Sequence, residues 1–436
     1  MRASEVKFPR LRRPYYINKQ TRFVSRRGKP LLDLLLRHVE RQAPKDMSPL
    51  RFWISKATGG TLTVEATYYP KCLDRSPQSG HAPLMQHPAA SVVVHVVPTS
   101  VGAAIGGFAG DASPATRLLA QVSDVVITHP NVVNASDILS MSGNTLYVEG
   151  GVLDDFFLGR VALRRVNHNV LGVVIEKQPR RYVDYVRYSV DAAHATCGIP
   201  IAGYAITRQK IGARVRRFES GAYTGVIENP TTLLEAADRL VAMGATAIAI
   251  TAEILDLPDV TSYVRGLDAN PHGGVEALMS HTVSRWFCLP AAHAPMWGEN
   301  APKDDPTYAE YDAREAAELV TTTALGCVLQ GLHKAPQPVP WAHRIHSDLT
   351  VSDVAALVVP YRSVGNVPAL VSEKLKIPIL GIMENSTLHE VQPECLNMSH
   401  FRSVANYLEA AGHVAAIRAG LAVSSLRRPI RNIGPV

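Results

Sequence analysis

From residue 91 onward, short β-branched apolar runs alternate with longer helix-patterned stretches, and this alternation leaves the chain few folds to adopt. The runs Ser91–Val97, Asp124–Thr128, Thr145–Val148, Leu171–Ile175, Ile199–Thr207, Ala245–Thr251, Ala355–Val359 and Ile377–Ile382 read as strands. They are almost continuously apolar rather than alternating, so both faces of each strand must be covered. Helix starts fall between them, at Ser113-Pro114 and Asn229-Pro230, and helix stops at Cys197-Gly198 and Met243-Gly244. Proline just inside a helix start and glycine just past its end is the expected asymmetry. Further helices are expected around Gly274–Phe287 and Ala313–Leu332. The predicted fold class is α/β, with mostly parallel sheets and helices on both faces. It divides into a main domain over residues 91–340 and a C-terminal α/β lobe over 341–436 that ends in a long helix, Phe401–Gly420. Ligands in such sheets sit beyond the carboxyl ends of the strands.

The first 90 residues differ in character. Residues 1–30 hold ten Lys/Arg and one acidic residue, whereas the rest of the chain holds 35 basic and 37 acidic residues. The net charge of +7 therefore belongs to a basic arm. Such an arm reads as a solvated or subunit-wrapping tail. Nucleic-acid contact is a second option, with Tyr15 and Tyr16 as stacking residues, but no recognition motif accompanies them; an organelle-targeting peptide is a third, though folded-looking sequence follows unusually soon for one. Residues 31–90 read as a small α+β accessory unit: a helix over Pro30–Val39, a hairpin of Arg51–Lys56 and Thr61–Tyr68 turning at Thr58-Gly59-Gly60, and a linker over Leu73–Ala90. The five cysteines are widely spaced and form no CxxC, which predicts unpaired thiols in a cytoplasmic compartment. The basic N-terminus has no apolar segment behind it, so no secretory signal is expected. No apolar run approaches the roughly 20 residues that span a bilayer, so no membrane partner is expected.

The chemistry-bearing residues gather at predicted strand ends. Val97 to Pro114 is a glycine-rich turn between a strand and a helix, containing Thr99, Ser100, Gly102, Gly106, Gly107, Gly110 and Asp111. A turn of this kind brings backbone N–H groups and a helix dipole close to an anion. It lacks the spacing of GxGxxG and ends in no Gly-Lys-Ser/Thr, so neither a dinucleotide nor a P-loop nucleotide site is supported. Asp111 is placed to cap the following helix, to bind a divalent cation, or to act as a base. Arg117, one turn into that helix, is a candidate for a bidentate grip on a carboxylate.

Further along, His129-Pro130-Asn131 and Asn134 close one strand, and Glu149 closes the next before Gly150-Gly151. A histidine paired with a glutamate makes an acid/base couple, so His129 and Glu149 are read together as catalytic, with Asp111 beside them. His293, among small residues, and Glu384-Asn385, after another strand, are candidate substrate ligands, as are Asn131 and Asn134. His281, in a predicted helix, reads as structural. No HExxH or paired-cysteine pattern suggests zinc. The turns Pro98-Thr-Ser-Val-Gly102 and Pro360-Tyr-Arg-Ser-Val-Gly365 echo one another, each after an apolar strand; chance similarity between βα units accounts for this as readily as two units facing one site.

Taken together, these stretches resemble the family defined by domain of unknown function 3326, found in bacteria and photosynthetic lineages. The resemblance rests on Pro98 to Pro114, on Thr128-His-Pro-Asn-Val-Val-Asn134, Leu146-Tyr-Val-Glu-Gly150, Gly244-Ala-Thr-Ala-Ile-Ala249, Ser280-His281, Ala292-His-Ala-Pro295 and Val404-Ala-Asn-Tyr-Leu-Glu-Ala-Ala-Gly412. It runs from about residue 90 to 422 and implies no activity.

The residues themselves suggest an enzyme that acts on a small polar or anionic metabolite by acid/base chemistry, of the isomerase, lyase or hydrolase type. A homo-oligomer is expected. The competing readings are a metabolite-binding or complex-assembly protein without catalysis and, more remotely, a protein that contacts nucleic acid through its arm.

Overall fold

A computed structural model describes residues 8, 9, 11, 15–24, 30–80, 91–99, 101–107, 110–133, 141–296, 325–430 and 432–433. Ser100 and Asn134 lie outside the described residues, as does most of residues 1–14 and the first half of the helix expected from Ala313.

The N-terminal unit is β1 (Ile17–Val24), α1 (Leu31–Gln42), β2 (Met47–Thr58) and β3 (Thr61–Pro70). β3 lies between β1 and β2, antiparallel to both. The hairpin turns at Gly59 and Gly60, both at positive φ, where side chains are disfavoured. Part of the expected basic arm is therefore sheet: Ile17 to Val24 pair with β3 along their whole length.

The body of the chain follows as β4 (Val92–His95), α2 (Ser113–Val122), β5 (Val125–Thr128), β6 (Thr145–Tyr147), α3 (Gly150–Phe157), β7 (Val161–Arg164), β8 (Leu171–Ile175), α4 (Arg180–Cys197) and β9 (Ile201–Ile206). Then come β10 (Ala213–Arg217), β11 (Tyr223–Ile227), α5 (Pro230–Ala242), β12 (Ala247–Ala252), β13 (Ile254–Leu255), α6 (Thr261–Val264), α7 (Pro271–Phe287), β14 (Ala291–Pro295), α8 (Leu325–His333) and β15 (Gln337–Pro340). The chain closes with β16 (Val354–Pro360), α9 (Val367–Leu375), β17 (Ile379–Ile382), β18 (Phe401–Val404) and α10 (Tyr407–Arg418).

Two parallel sheets dominate, as the apolar runs predict. The larger has the order β18-β17-β16-β4-β5-β6, and the smaller the order β14-β12-β8-β9. The larger sheet joins strands from residues 92–147 with strands from 354–404. A boundary at residue 340 therefore does not separate the sheets: the C-terminal strands complete the sheet that β4 begins. Phe401–Val404 is the edge strand of this sheet rather than the start of the final helix, which begins at Tyr407 after the cap Asn406.

Burial explains the layering. α2 and α10 cover one face of the large sheet, with Leu119, Val126, Val358 and Val414 in contact. α1, α3, α9 and the N-terminal sheet cover the other, around Leu35, Val64, Phe156 and Leu357. The small sheet is covered by α5 and α7 on one face and by α4 and α8 on the other. In the large sheet the chain runs outward from β4 through β5 to β6, and outward the other way from β16 through β17 to β18. The winding direction thus reverses between β4 and β16, and a reversal of this kind leaves a crevice at the carboxyl ends of the two strands. The echoing turns after Val97 and Val359 are the two loops that leave it.

Candidate functional site

A cleft of about 530 Å³ opens at that reversal. Its floor is Pro98, Thr99, His129, Asn131 and Glu149, at the ends of β4, β5 and β6. One wall is the start of α7 together with His293 of β14, and the opposite wall is Arg51 to Ile54 of β2. Tyr223 of β11 also lines it, so four separate sheets meet around one space.

The glycine-rich loop takes a different part from the one expected. The N–H groups of Ala104 to Gly107 are used within the protein. Ala104 N–H donates to Ser386 O (2.8 Å), Ile105 N–H to Asn385 Oδ1 (3.2 Å), Gly106 N–H to Asp111 Oδ1 (2.9 Å) and Gly107 N–H to Asn131 O (2.7 Å). Gly106 stands at φ +85°, and a Cβ there would lie 2.6 Å from the Asn131 carbonyl oxygen, so only glycine allows this approach. Over Ala104–Gly107 the loop is a clamped wall, with Thr99 and Gly107 on the cleft.

Asp111 holds that loop closed and does not line the cleft. Nor does it cap α2, whose N-cap is Ala112 with no side-chain bond. Among the described residues no group of three His, Cys, Asp or Glu is arranged to hold a metal ion. Arg117 is exposed on α2, and Gly110 lies beyond the cleft. Gly102 and Gly106 line a second pocket of about 430 Å³, which shares Pro98, Gly107, Asn131, Tyr263 and Asn270 with the cleft. Glu384 is exposed, and Asn385 is buried between the loop and the Tyr407 hydroxyl (3.3 Å); neither reaches the cleft.

His129, Glu149, Asn131 and His293 do come together, but not in the expected pairing. Glu149 Oε1 accepts from His281 Nε2 at 2.8 Å and from Ser280 Oγ at 3.2 Å, and its Oε2 accepts the Gly151 N–H at 2.8 Å. Burial opposes the charge on Glu149, yet the His281 ring and the other donors outweigh it and hold the carboxyl below its ordinary range. Its partner is thus His281, not His129. The carboxylate also serves as N-cap of α3.

Ser280 links Glu149 to His293, with Oγ 2.9 Å from His293 Nδ1. An anionic carboxylate is the strongest acceptor in reach of the single Ser280 hydroxyl proton. Ser280 then accepts from His293 Nδ1–H, and the lone pair of His293 is on Nε2. His129 is set the opposite way. Its Nε2 accepts the Val97 N–H at 3.2 Å, which leaves the proton of the neutral ring on Nδ1. Burial pulls both rings down to about 4, so both are neutral at physiological pH. Two neutral imidazoles of opposite hydrogen-bond polarity line one cleft.

The roles of several residues in the cleft, and of Ser280 behind it, escape sequence reasoning. Ser280, His281 and Glu276 sit on α7, a helix buried almost all round, with Gly274 pressed against the Tyr223 carbonyl (a Cβ would lie 2.4 Å from it). The available signal was their clustering at i, i+4 and i+5 behind the Asn270-Pro271 start. Asp154, one turn along from Glu149, also lines the cleft, and burial with Asp155 alongside pushes its carboxyl up to about 8.

The pattern of the family described as "Protein of unknown function (DUF3326)" matches residues 92–427. The chain belongs to the DUF3326 family. It is also 36% identical over 338 residues to an uncharacterised lipoprotein of Synechococcus sp. (strain ATCC 27144 / PCC 6301 / SAUG 1402/1), covering 76% of this chain and 92% of that relative. No solved structure matches the chain. Within this DUF3326 protein, His129, Glu149, Ser280, His281 and His293 all lie in the matched range, whereas β2 lies before it. No described helix is long and apolar enough to cross a membrane.

Proposed function

We propose that this cleft is the active site of an enzyme that moves a proton on a small polar or anionic metabolite, in an isomerase, lyase or hydrolase type of reaction. One arrangement carries the reading: the chain Glu149–Ser280–His293, in which commitment of the Ser280 proton to Glu149 assigns the lone pair of His293 to Nε2, 3.9 Å from Glu276 Oε2, on the same cleft as His129, whose Nε2 accepts the Val97 N–H. An acceptor and a donor of this kind suit general base and general acid. Glu149 acts through Ser280 as an orienting carboxylate. The five free thiols fit a reducing compartment, the cytoplasm.

Deuterium incorporation tests this. Small 2-oxo, 3-oxo and hydroxy acids, and their phosphate esters, are incubated with the protein in D2O, and C–H exchange is read by mass spectrometry. A substrate is expected to exchange in the wild type and to slow by roughly 100-fold or more in His293→Gln and His129→Gln. Wild-type rates in both variants would remove the two rings from the mechanism.

The second reading, a metabolite-binding protein without turnover, draws on Glu149 itself, whose two oxygens already accept three donors. Saturable binding of a metabolite with no exchange or product would favour it.

A further inference from the structure

A cleft for an anion needs a cationic or N–H partner for it, and most of the candidates here are engaged. The glycine-loop N–H groups from Ala104 to Gly107 donate to protein acceptors. At the start of α7, the His272 and Gly273 N–H groups donate to Asn270 Oδ1 (2.9 and 3.4 Å), and Pro271 has none. Arg362, on the cleft rim, is paired with Glu390. Arg51 differs: among the described residues it forms no ion pair, and its buried Nε has no hydrogen-bond partner.

Arg51 is nonetheless held firmly. Its Nη2 donates to Thr224 Oγ1 at 2.8 Å, and its guanidinium lies 5.3 Å from the Trp53 ring centroid. Thr224 is in turn tied to Thr67 (3.1 Å) and to Asn18 Oδ1 (3.1 Å), so β1, β3 and β11 all fix one edge of the fork. A guanidinium anchored on one side, stacked on an indole and lacking a carboxylate partner is preorganised for a planar or tetrahedral oxyanion. Burial draws Arg51 down to about 10, with Glu149 and Asp154 opposing that shift, so it keeps its charge at neutral pH.

We propose that Arg51 is the anion-binding residue of this cleft, and that the N-terminal sheet thereby makes a cleft built within the family region selective for substrates bearing a carboxylate or phosphate. The proposal rests on the reading of the cleft as a substrate site. It adds that its specificity comes from outside the matched residues, since β2 precedes residue 92.

The test is calorimetric titration of the full chain with inorganic phosphate and with malonate, the two probes separating phosphate from carboxylate recognition. The wild type is expected to bind at least one of them saturably. Arg51→Gln is expected to weaken that binding by roughly tenfold or more, and Arg51→Lys by less, because the charge stays while the fork is lost. Arg117→Gln, exposed on α2, should bind as the wild type does. Circular dichroism and melting of each variant verify folding, and Arg51→Lys stands in should Arg51→Gln not fold. Equal affinity in Arg51→Gln, or no saturable binding of either probe by the wild type, would overturn the proposal. Titration of His293→Gln separates this from the acid–base reading: anion binding that survives there but fails in Arg51→Gln supports the role of Arg51 whatever His293 does in catalysis.

Discussion

The two parallel sheets share one plan and finish it differently. In each, the winding direction reverses between two central strands: β4 and β16 in the large sheet, β8 and β12 in the small one. A reversal parts the loops that follow and leaves a crevice. In the large sheet that crevice is the cleft. In the small sheet it is filled. Glu176, just after β8, is buried, and its Oε1 accepts the N–H groups of Ile211 (2.6 Å) and Gly212 (3.1 Å). Its Oε2 accepts from Glu253 N–H (2.9 Å), at the end of β12, and from Gln178 (3.2 Å). A carboxylate of the chain occupies the place a ligand would take. The lesson is that a shared topology provides two possible sites, and side-chain chemistry decides which stays open. Glu176 brings its own anion to the donors at the reversal itself, whereas beside the reversal of the large sheet His129 and Asn131 both bond to the Val97 backbone at the edge of a space, and the carboxylate there, Glu149, sits one strand further out.

The largest effect expected from breaking this contrast follows the loss of the plug. Glu176→Ala leaves three buried backbone donors without their acceptor and parts β8 from β12 at their ends. Removing one side of a buried charged network costs about 3–5 kcal/mol, and urea unfolding should show it. A loss below about 1 kcal/mol, the worth of an ordinary hydrogen bond, would mean that Glu176 is not structural and that the second crevice is closer to an open site than its geometry indicates.

A smaller loss is expected at the open end. Gly106→Ala puts a Cβ 2.6 Å from the Asn131 carbonyl, at φ +85°. Backbone strain of this kind costs about 1–3 kcal/mol. The Gly107 and Asn131 hydrogen bond should loosen with it, visible as faster amide exchange over residues 102–107. Unchanged stability and exchange would show that the loop is free to turn its N–H groups toward a ligand, and the contrast with the clamped wall described above would fall.

How much of this was readable beforehand depends on how local the cause is. Strands such as Val92–His95, Val125–Thr128 and Ala247–Ala252 were legible because an apolar run bounded by Gly, Pro or Asn has few alternatives. His129, Asn131 and Glu149 were legible as site candidates because they end such runs, and His293 because small residues flank it. The pairing of Glu149 with His281 was not, since it spans more than 130 residues and depends on where α7 crosses the sheet. Arg51 looked like an ordinary strand residue, because nothing near it in sequence shows that β2 reaches the ends of β4 and β5. Asp111 and Arg117 misled for the opposite reason. Their sequence neighbourhood suggested ligands, but Asp111 is turned onto Gly106, and Arg117 points off the exposed side of α2. Phe401–Val404 read as helix because its short run is contiguous with α10, while pairing with β17 makes it a strand.

The finest probe of the two crevices, read from a pH dependence and not from stability at one pH, is the titration of Asp154. Burial, followed by the charge of Asp155, pushes its carboxyl up to about 8; Arg285 and Arg160 oppose this and Glu149 adds to it. In the unfolded chain the group returns to the ordinary carboxylate value of about 4. Folded protein therefore holds a proton between those values that unfolded protein has released. The associated stability is fully present below about pH 4 and is lost as pH rises through about 8. Glu176 is shifted in the same direction by burial, against the pull of its backbone donors, so both crevices are expected to lose stability with rising pH. Asp154→Asn cannot titrate. Its unfolding free energy, measured from pH 4 to 9, should fall less steeply than that of the wild type, with the remaining slope reflecting the plug and other groups. Parallel curves would assign none of the slope to the open cleft, and would place Asp154 in contact with enough water to titrate as an ordinary carboxyl.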